Sequence, residues 1–443
     1  MSSGSTLRGG PRLNQRKTTR VKLLLQASLS SLGELVVAVA TRTIYLISGF
    51  VPRRKHIWVF GSWDGKKFAD NPKYLFLYVY HNHPEITGVW LSRNKTILAG
   101  LRARGYKAYY MHSLRGILYS MRANCIIFSV GVSDVNLYTT NGTKSVQLWH
   151  GTPLKKIALI PIPDLQTPTS KSSCARRLID EGLRPNKKHD IVIAASDENK
   201  QTMRTVFSDA REIAVTGYPR NDVLLGAPWL SKLDPECVRR IKREINYQFL
   251  FLYLPTFRRK VSRELNLFAR YGFDGTTVNQ TLRELNAILI IKAHPYFRAH
   301  PYDEQADPDS EGARLERIFT LSDEDLPDIY PLLRETSVLI TDYSSAFFDY
   351  LLLDRPIVFA PFDIQQYTTT DHELFFDYDQ VTPGPKAKDW PDVLRLLREA
   401  VQNDSWKAER REVCTRFNKF HDSNSSERVF QVICRLLEQT TPE

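Results

Sequence analysis

The fold of this 443-residue chain is decided by the stretch Ser145-Val-Gln-Leu-Trp-His-Gly-Thr-Pro153, in which a short apolar run leads directly into a turn. The arrangement recurs twice. Ala287–Ile291 leads into Lys-Ala-His-Pro at 292–295, and Val338–Ile340 leads into Thr-Asp-Tyr-Ser-Ser at 341–345. Reactive side chains at the carboxyl ends of buried parallel strands are typical of ligand sites in α/β proteins. The three motifs therefore predict one site between two α/β domains.

Short buried strands alternate with helical segments from Ile57 onward, which predicts parallel sheets covered by helices on both faces. The first series of predicted strands is Ile57–Phe60, Gly88–Leu91, Ala108–Met111, Cys125–Val130, Val146–Leu148, Ile191–Ala195 and Ile213–Val215. The second series is Phe249–Leu254, Ile288–Ile291, Ile318–Leu321, Val338–Ile340 and Ile357–Phe359. We predict two doubly wound, Rossmann-like domains over residues 56–235 and 236–443, facing each other across a cleft. The segments 393–401 and 429–437 are expected to be closing helices.

The first 55 residues differ in composition from the rest. Residues 1–20 are basic and rich in Gly and Ser, which predicts a disordered arm. Residues 21–55 contain apolar runs that Glu34 and Arg42 interrupt, with basic residues at both ends. We interpret this segment as a membrane-associating helix that lies in the interface. Soluble packing helices and a true membrane span are the alternatives, and a signal peptide fits poorly.

The formal charge of +12 favours anionic partners. Nucleic acid is not expected, because the chain has no zinc-ligand spacing and no RNA-binding signature. Much of the basic charge lies in the N-terminal arm, so an anionic membrane surface is the better partner. The five cysteines are odd in number and contain no close pair, which argues against a disulfide framework or a zinc site. A reducing cytoplasm fits this cysteine usage best.

The three motifs, in this order, resemble those of the CDP-glycerol glycerophosphotransferase family, the primases and polymerases of teichoic-acid-like polymers. The likeness extends from about Ile57 to Val429 and includes Gly61-Ser62 with Asp70-Asn-Pro-Lys-Tyr74, Gly217-Tyr-Pro-Arg-Asn-Asp222 and Leu254-Pro-Thr-Phe-Arg258. The resemblance implies a GT-B-like fold, with an acceptor-side domain first and a nucleotide-donor domain second. It also implies CDP-glycerol as donor, a lipid-linked saccharide or polymer as acceptor, and a peripheral position on the cytoplasmic face of the cell membrane.

The two motif histidines, His150 and His294, are the predicted catalytic residues. A neutral imidazole at His150 could take the proton of an attacking hydroxyl, although His150 could instead bond only the backbone of its own turn. Lys292 and His294 alternate along their strand and would leave the same face, where both could stabilise charge on a pyrophosphate. The alternative for Lys292 is a solvated strand end.

Donor phosphate binding is predicted for the polar residues that end the strands of the second domain. Free N–H groups, hydroxyls and a guanidinium are suitable groups for that purpose. The predicted set is Thr256, Arg258, Lys292, Asp342, Ser344 and Ser345, with Gly151, Thr152, Arg220 and Asp377 as further possible contributors. A solvated basic turn is the alternative for Arg258. The alternative for Asp342 or Ser344 is a helix cap without a ligand.

No metal or other cofactor is predicted. Asp-x-Asp triplets occur at 307–309, 323–325 and 377–379, and the first two lie in acidic stretches that we interpret as solvated loops. The chain departs from the family pattern at His372-Glu373, Ala158 and Ser423, which leaves both histidines intact but makes the polyol of the donor uncertain.

The resulting hypothesis is transfer of glycerol phosphate from CDP-glycerol to an acceptor hydroxyl, with release of CMP. Three alternatives stand beside it: a GT-B glycosyltransferase that uses a nucleotide sugar, a CDP-ribitol-specific homologue, and a non-catalytic membrane scaffold. The released nucleotide distinguishes the glycosyltransferase from the hypothesis, because a glycosyltransferase would release a nucleoside diphosphate and not CMP.

Overall fold

The computed structural model describes residues 36–156, 188–230, 236–256, 258, 267–292 and 316–439. These residues divide into two compact units. The larger unit comprises those within 53–136, 143–161 and 188–443, and the smaller unit those within 1–52, 137–142 and 162–187. The predicted arm over residues 1–20 lies outside the described residues.

The larger unit contains two sheets, and every strand pair within the described ranges is parallel. The strands of the first sheet are β1 Arg54–Phe60, β2 Thr87–Ser92, β3 Ala108–Tyr110, β4 Ala123–Phe128, β5 Lys144–Gln147, β6 Ile191–Ala194 and β7 Glu212–Val215. Those of the second sheet are β8 Phe249–Leu254, β9 Ala287–Ile291, β10 Ile318–Thr320, β11 Val338–Thr341 and β12 Ile357–Phe359. Each predicted strand is present, which confirms the α/β fold with parallel sheets.

Both sheets are doubly wound. Their strand orders are β3-β2-β1-β4-β5-β6-β7 and β10-β9-β8-β11-β12. The order reverses between β1 and β4 in the first sheet and between β8 and β11 in the second. Ligands of open α/β sheets bind at the carboxyl ends of the strands beside such a reversal. In the second sheet these ends are Leu254 and Thr341, which are paired with each other.

Helices cover both sheets, and several begin at a capping side chain. Asn94, Ser113 and Ser196 each accept a hydrogen bond from a backbone N–H in the first turn of the helix that follows. The α-helices are α1 Asp70–Asn82, α2 Lys95–Ala103, α3 Leu114–Arg122, α4 Asp197–Val206, α5 Asn221–Leu224, α6 Glu236–Glu244, α7 Leu267–Arg270, α8 Gly275–Glu284, α9 Tyr330–Glu335, α10 Ala346–Tyr350, α11 Ile364–Thr370, α12 Tyr378–Val381, α13 Trp390–Gln402, α14 Lys407–Phe417 and α15 Ser425–Glu438.

One hydrophobic core joins the two halves of the larger unit, because its largest cluster contains buried residues of both sheets, such as Trp58 and Leu252. The last helix, α15, packs on the first half of the chain: the Phe430 ring lies 5.2 Å from Trp58 and stacks on His83 at 3.6 Å. The two predicted closing helices are present as α13 and α15. The boundary predicted near residue 235 remains a prediction, since both halves belong to one unit.

The smaller unit contains a helix over residues 36–48. Thr41 and Thr43 donate their hydroxyls to backbone carbonyls one turn earlier, at Val37 and Val39. The exposed apolar side chains of this helix and of the residues just after it are Val36, Val37, Val39, Ile44, Leu46, Ile47 and Phe50. None of the helices in the described ranges combines the length and the apolar character needed to cross a bilayer. The predicted membrane association of this segment remains a prediction.

Candidate active site

His150 lies in a sharp turn directly after β5. Trp149 and Gly151 have positive φ angles, +52° and +114°, so the chain reverses on both sides of the histidine. The Asn71 side chain donates to the backbone carbonyls of Leu148 and Trp149, each at 3.0 Å. Asn71 is fully buried at the start of α1. The turn is therefore held by a side chain from another motif that the sequence singled out.

The His150 ring is half-buried between two indoles. Its centroid lies 4.0 Å from that of Trp149 and 5.5 Å from that of Trp63. Burial lowers the pKa of His150 to about 4, and Asp70 opposes that shift. Its Nδ1 is buried, and the backbone of Ser129 also opposes the shift by favouring the protonated ring. At neutral pH the imidazole is therefore uncharged and able to accept a proton.

Left-handed backbone conformations cluster around this histidine. Trp63, Asp64 and Asp70 have φ angles of +50°, +54° and +66°, in addition to Trp149. Such conformations cost about 1–3 kcal/mol each in residues other than Gly, and they concentrate at functional sites. Trp63 Nε1 donates to Asp70 Oδ2 at 3.2 Å, so these strained turns contact one another.

Arg220 connects the histidine turn to the second half of the larger unit. Its guanidinium donates to Asp70 Oδ1 at 2.8 Å and to Asp349 Oδ2 at 2.6 Å, and all three side chains are buried. The hydroxyl of Tyr330 also donates to Asp349, at 2.6 Å. Asp349 lies in α10, directly after the Thr341–Ser345 motif, so one buried network joins two of the three predicted motifs.

Gly151 lies directly against Arg220, because a Cβ added at Gly151 would be 2.2 Å from the guanidinium Nη2. Thr152 follows and is buried. Gly151 and Arg220, both predicted as possible site residues, are therefore brought together beside His150. Whether either contacts a substrate remains a prediction.

The predicted donor residues Arg258 and Asp342 form a buried ion pair with each other at 2.5 Å. Arg258 also forms a two-point contact with Asp363, at 3.1 Å and 2.8 Å. Arg258 is 3% exposed, so the alternative of a solvated basic turn is wrong for this side chain. The Asp342 carboxylate accepts from the backbone N–H groups of Thr256 and Tyr343, not from α10. The helix-cap alternative is therefore wrong for Asp342.

Lys292 ends the next strand and is buried, which excludes the alternative of a solvated strand end. Its Nζ lies 2.5 Å from Asp323 Oδ1, and the Nζ of Lys67 lies 2.6 Å from Asp323 Oδ2. Residues 323–325 form a turn in which Glu324 and Asp325 are exposed, as the solvated-loop interpretation expects, whereas Asp323 is half-buried and binds two lysines. Burial lowers the pKa of Lys292, and Asp323 opposes that shift.

The remaining predicted residues differ in their surroundings. Ser344 and Ser345 are half-buried at the start of α10, where Ser344 Oγ accepts from Ala346 N at 3.4 Å. Thr256 Oγ1 is buried without a hydrogen-bond partner among the described residues. Asp377 is exposed and caps α12 by accepting from Asp379 N and Gln380 N. His294, the second predicted catalytic residue, and the triplet at 307–309 lie outside the described residues.

Within the described ranges, no three His, Cys, Asp or Glu side chains are grouped so that they could hold a metal ion. The two arginines of the candidate site are each paired with carboxylates, as Arg220 is with Asp349 and Arg258 is with Asp363.

Comparison with known proteins identifies the family. The sequence profile of the family described as "CDP-Glycerol:Poly(glycerophosphate) glycerophosphotransferase" matches residues 43–435, which include every motif of the candidate site. The chain belongs to this family. It is therefore a phosphotransferase of the teichoic acid glycerol-phosphate polymerase and transferase group.

The relatives of this chain include proteins of different length. The teichoic acid glycerol-phosphate transferase of Staphylococcus aureus (strain NCTC 8325 / PS 47) is 26% identical over 395 residues, covering 86% of this chain and 93% of that protein. The teichoic acid poly(glycerol phosphate) polymerase of Bacillus subtilis (strain 168) is 27% identical over 371 residues, covering 82% of this chain and 46% of the polymerase. The chain thus spans about half the length of that polymerase.

A solved structure has the same fold. The wall teichoic acid polymerase TagF superposes with a TM-score of 0.67 and 20% identity, covering 94% of this chain and 98% of that one. At this identity the likeness shows the fold alone, and it confirms the GT-B-like arrangement that the motifs predicted.

Sequence reasoning assigned no role to the carboxylates that hold the two site arginines. Asp349 and Asp363 accept from Arg220 and Arg258, which lie 129 and 105 residues earlier in the chain. A signal existed for Asp349: it stands in the otherwise apolar run Ala346-Phe-Phe-Asp-Tyr-Leu-Leu-Leu353. A carboxylate in such a run is rarely buried unless it is paired.

His372 and Glu373, where the chain departs from the family pattern, lie beside the residues that follow the His150 motif. Lys156 N donates to Glu373 O at 2.9 Å, and Phe375 N donates to Leu154 O at 2.8 Å. Residues 154–156 and 373–375 thereby form a short antiparallel contact, with Lys155 opposite Leu374. The departures at His372 and Glu373 therefore lie beside the segment that follows the histidine turn.

Proposed function

We propose that this glycerophosphotransferase transfers glycerol phosphate from CDP-glycerol to a hydroxyl of a poly(glycerol phosphate) chain or a lipid-linked saccharide and releases CMP. The observation that supports this most directly is the uncharged, half-buried His150, whose turn is joined through Arg220 and Asp349 to the Ser344–Ser345 turn. This arrangement suits a proton acceptor on one side and phosphate-binding hydroxyls on the other.

In the proposed reaction, His150 takes the proton of the acceptor hydroxyl as that oxygen bonds to the β-phosphorus of the donor. The bond between the β-phosphorus and the bridging oxygen breaks, and CMP leaves with its electron pair. Positively charged and hydroxyl groups that stabilise the developing phosphate charge supply much of the rate enhancement. Ser344, Ser345 and Lys292 are the candidates for this role, together with the predicted His294.

Arg258 has a positioning role in this proposal. Both edges of its guanidinium are bound to carboxylates, Asp342 and Asp363, so it orders the loops that follow β8 and β11. Those loops present Thr256 and the Ser344–Ser345 turn. Arg258 would contact donor phosphate only after releasing one of its carboxylates.

Glycerol phosphate is favoured over ribitol phosphate as the transferred group. The family description names CDP-glycerol, and the two relatives described above act, by their names, on glycerol phosphate. A more distant relative, the teichoic acid ribitol-phosphate primase of Bacillus spizizenii (strain ATCC 23059 / NRRL B-14472 / W23), is 24% identical over 402 residues. CDP-ribitol is therefore the comparison donor in the test.

We also propose peripheral association with an anionic membrane surface on the cytoplasmic face. The charge of +12 and the exposed apolar side chains of the helix over residues 36–48 support this proposal. Cosedimentation with vesicles that contain phosphatidylglycerol tests it.

The test of the reaction is nucleotide release by the purified protein. CDP-glycerol, CDP-ribitol and a panel of nucleotide sugars are incubated with an oligo(glycerol phosphate) acceptor and with a lipid-linked acceptor extract, for the wild type, His150→Ala and His81→Ala. His81 is an exposed histidine outside the site, so it is the matched control. We expect CMP from CDP-glycerol in the wild type and the control, and a loss of at least about 100-fold in His150→Ala.

Two results would contradict the proposal. A nucleoside diphosphate released from a nucleotide sugar would make the protein a glycosyltransferase. Equal CMP release by the wild type and His150→Ala would exclude His150 as the base.

A further inference from the structure

A basic groove lies at the edge of the first sheet opposite to His150. It borders the amino ends of β1, β2 and β3 and the helix α3, and its volume is about 600 Å³. Arg54 is the first residue of β1, whereas His150 follows the carboxyl end of the parallel strand β5. β1 has 7 residues; at about 3.3 Å per residue, the groove and the histidine edge are roughly 20 Å apart.

Four cations line this groove. Arg54, Lys107, Arg115 and Arg122 all border it, together with His56. None of the four forms an ion pair within the part of the chain that the structure describes, and no Asp or Glu is among the lining residues. Arg54, Lys107 and Arg115 are exposed and Arg122 is half-buried, so the groove presents their charge to solvent. Unmatched positive charge in a recess attracts anions and raises their local concentration.

The groove also has an aromatic wall. The rings of Tyr109 and Tyr119 stack at 5.2 Å with an angle of 17° between their planes. Leu118 lines the same recess and is 49% exposed. Stacked rings and a leucine side chain can pack against carbon-bound hydrogens, while the surrounding cations can bind charged oxygens. The groove therefore suits a chain in which phosphates alternate with short carbon segments.

We propose that this groove binds the phosphodiester backbone of a polyol-phosphate acceptor chain at a distance from its reacting end. The inference rests on the proposed function, because it assumes that such a chain is the acceptor. A short acceptor would occupy only the site at His150. A chain long enough to span the roughly 20 Å along the strands would contact both places and bind more tightly. The groove thus makes acceptor affinity depend on acceptor length.

The test measures binding without turnover, by the fluorescence anisotropy of end-labelled oligo(glycerol phosphate) of several lengths. The groove variant is Lys107→Gln/Arg115→Gln, and the control variant is Lys95→Gln/Arg104→Gln, which removes the same charge from exposed positions in the same half of the chain. A single Arg54→Gln variant repeats the test at another position. Melting temperatures of all variants establish that they are folded.

We expect the wild type and the control to bind long oligomers more tightly than short ones. The groove variant should lose affinity for long oligomers by about fivefold per removed charge, and the ratio between long and short oligomers should fall toward one. Its affinity for long oligomers should also depend less steeply on salt, because fewer phosphate contacts release counterions. In turnover assays, the KM for the acceptor should rank the variants in the same order as the binding affinities do.

Three outcomes would overturn the inference, and a fourth would separate it from the proposed reaction. Equal losses in the groove and control variants would show only a general charge effect. If the affinity of the wild type did not depend on oligomer length, the oligomer would not contact the groove in addition to the site at His150. Unchanged oligomer binding with lost cosedimentation with vesicles of phosphatidylglycerol and phosphatidylcholine would assign the groove to a membrane surface. If the wild type releases no CMP but the groove variant still loses oligomer affinity, the proposed reaction fails and the groove remains an oligomer site.

Discussion

Gly151 packs against the guanidinium of Arg220 so closely that a Cβ at Gly151 would lie 2.2 Å from Arg220 Nη2. The glycine follows His150 directly, and its φ angle of +114° is one that other residues rarely adopt. Arg220 is fixed from its other sides by Asp70 and Asp349. The position of the predicted base thus depends on a glycine and an arginine that are 69 residues apart by their numbers.

Gly151→Ala should destabilise the protein and reduce CMP release. Strain at a positive φ and overpacking each cost about 1–3 kcal/mol, so we expect a loss of about 2–6 kcal/mol in the free energy of unfolding. Urea unfolding measures it. Gly100→Ala is the matched control, because its Cβ would meet nothing within 4 Å and Ala is favoured over Gly in a helix by about 1 kcal/mol. Equal stability of the two variants would contradict the close packing at Gly151.

Arg220→Met should destabilise the larger unit more than any exposed charge change. It leaves the buried carboxylates of Asp70 and Asp349 without their cation, and breaking a buried pair in this way costs about 3–5 kcal/mol. Arg283→Met removes an exposed ion pair with Glu316 and should have a much smaller effect. Urea midpoints of the two variants provide the comparison. A small effect of Arg220→Met would mean that the carboxylates are solvated when the arginine is absent.

The fold was predictable because its strands are short, apolar and bounded by turn residues. β8 has the sequence Phe-Leu-Phe-Leu-Tyr-Leu and is buried over nearly its whole length. The boundaries were less predictable: β1 begins at Arg54, three residues before the apolar run, and its first residues are exposed. Those polar residues are extended because Arg54 pairs with Ala123 across the sheet, which local sequence does not reveal.

The site was predictable where one motif contains both the strand and its turn, as at His150. The site was not predictable where a charged side chain is paired with an oppositely charged one that is far away in the sequence. Asp323 stands in an acidic stretch typical of a solvated loop, but it binds Lys67, 256 residues away. Arg258 stands in a basic run, but two carboxylates bury it. Burial of a charge depends on partners that only the folded chain brings together.

The pH dependence of the reaction should differ from that of an ordinary histidine. A protonated imidazole cannot accept the acceptor's proton, so activity is lost as the pH falls through the pKa of the base. Because burial lowers the pKa of His150 to about 4, kcat/KM should stay level from pH 7 down to about 5 and decline only near pH 4. Circular dichroism at each pH separates this loss from unfolding. A decline centred near the usual histidine pKa, about 6.5, would contradict the buried, uncharged imidazole.

Asp323 should compete with the donor for Lys292. Its carboxylate binds the Nζ of Lys292 and that of Lys67, so it partly neutralises the charge that Lys292 would offer to a donor phosphate. Asp323→Ala should therefore tighten CDP-glycerol binding severalfold, whereas Lys292→Met should weaken it by about tenfold, the effect of losing one charge-assisted hydrogen bond. Titration calorimetry on the His150→Ala background measures both without turnover, and Glu324→Ala, an exposed neighbour, is the control. If Asp323→Ala weakens binding as much as Lys292→Met, then the carboxylate positions the lysine for the donor and does not compete with it.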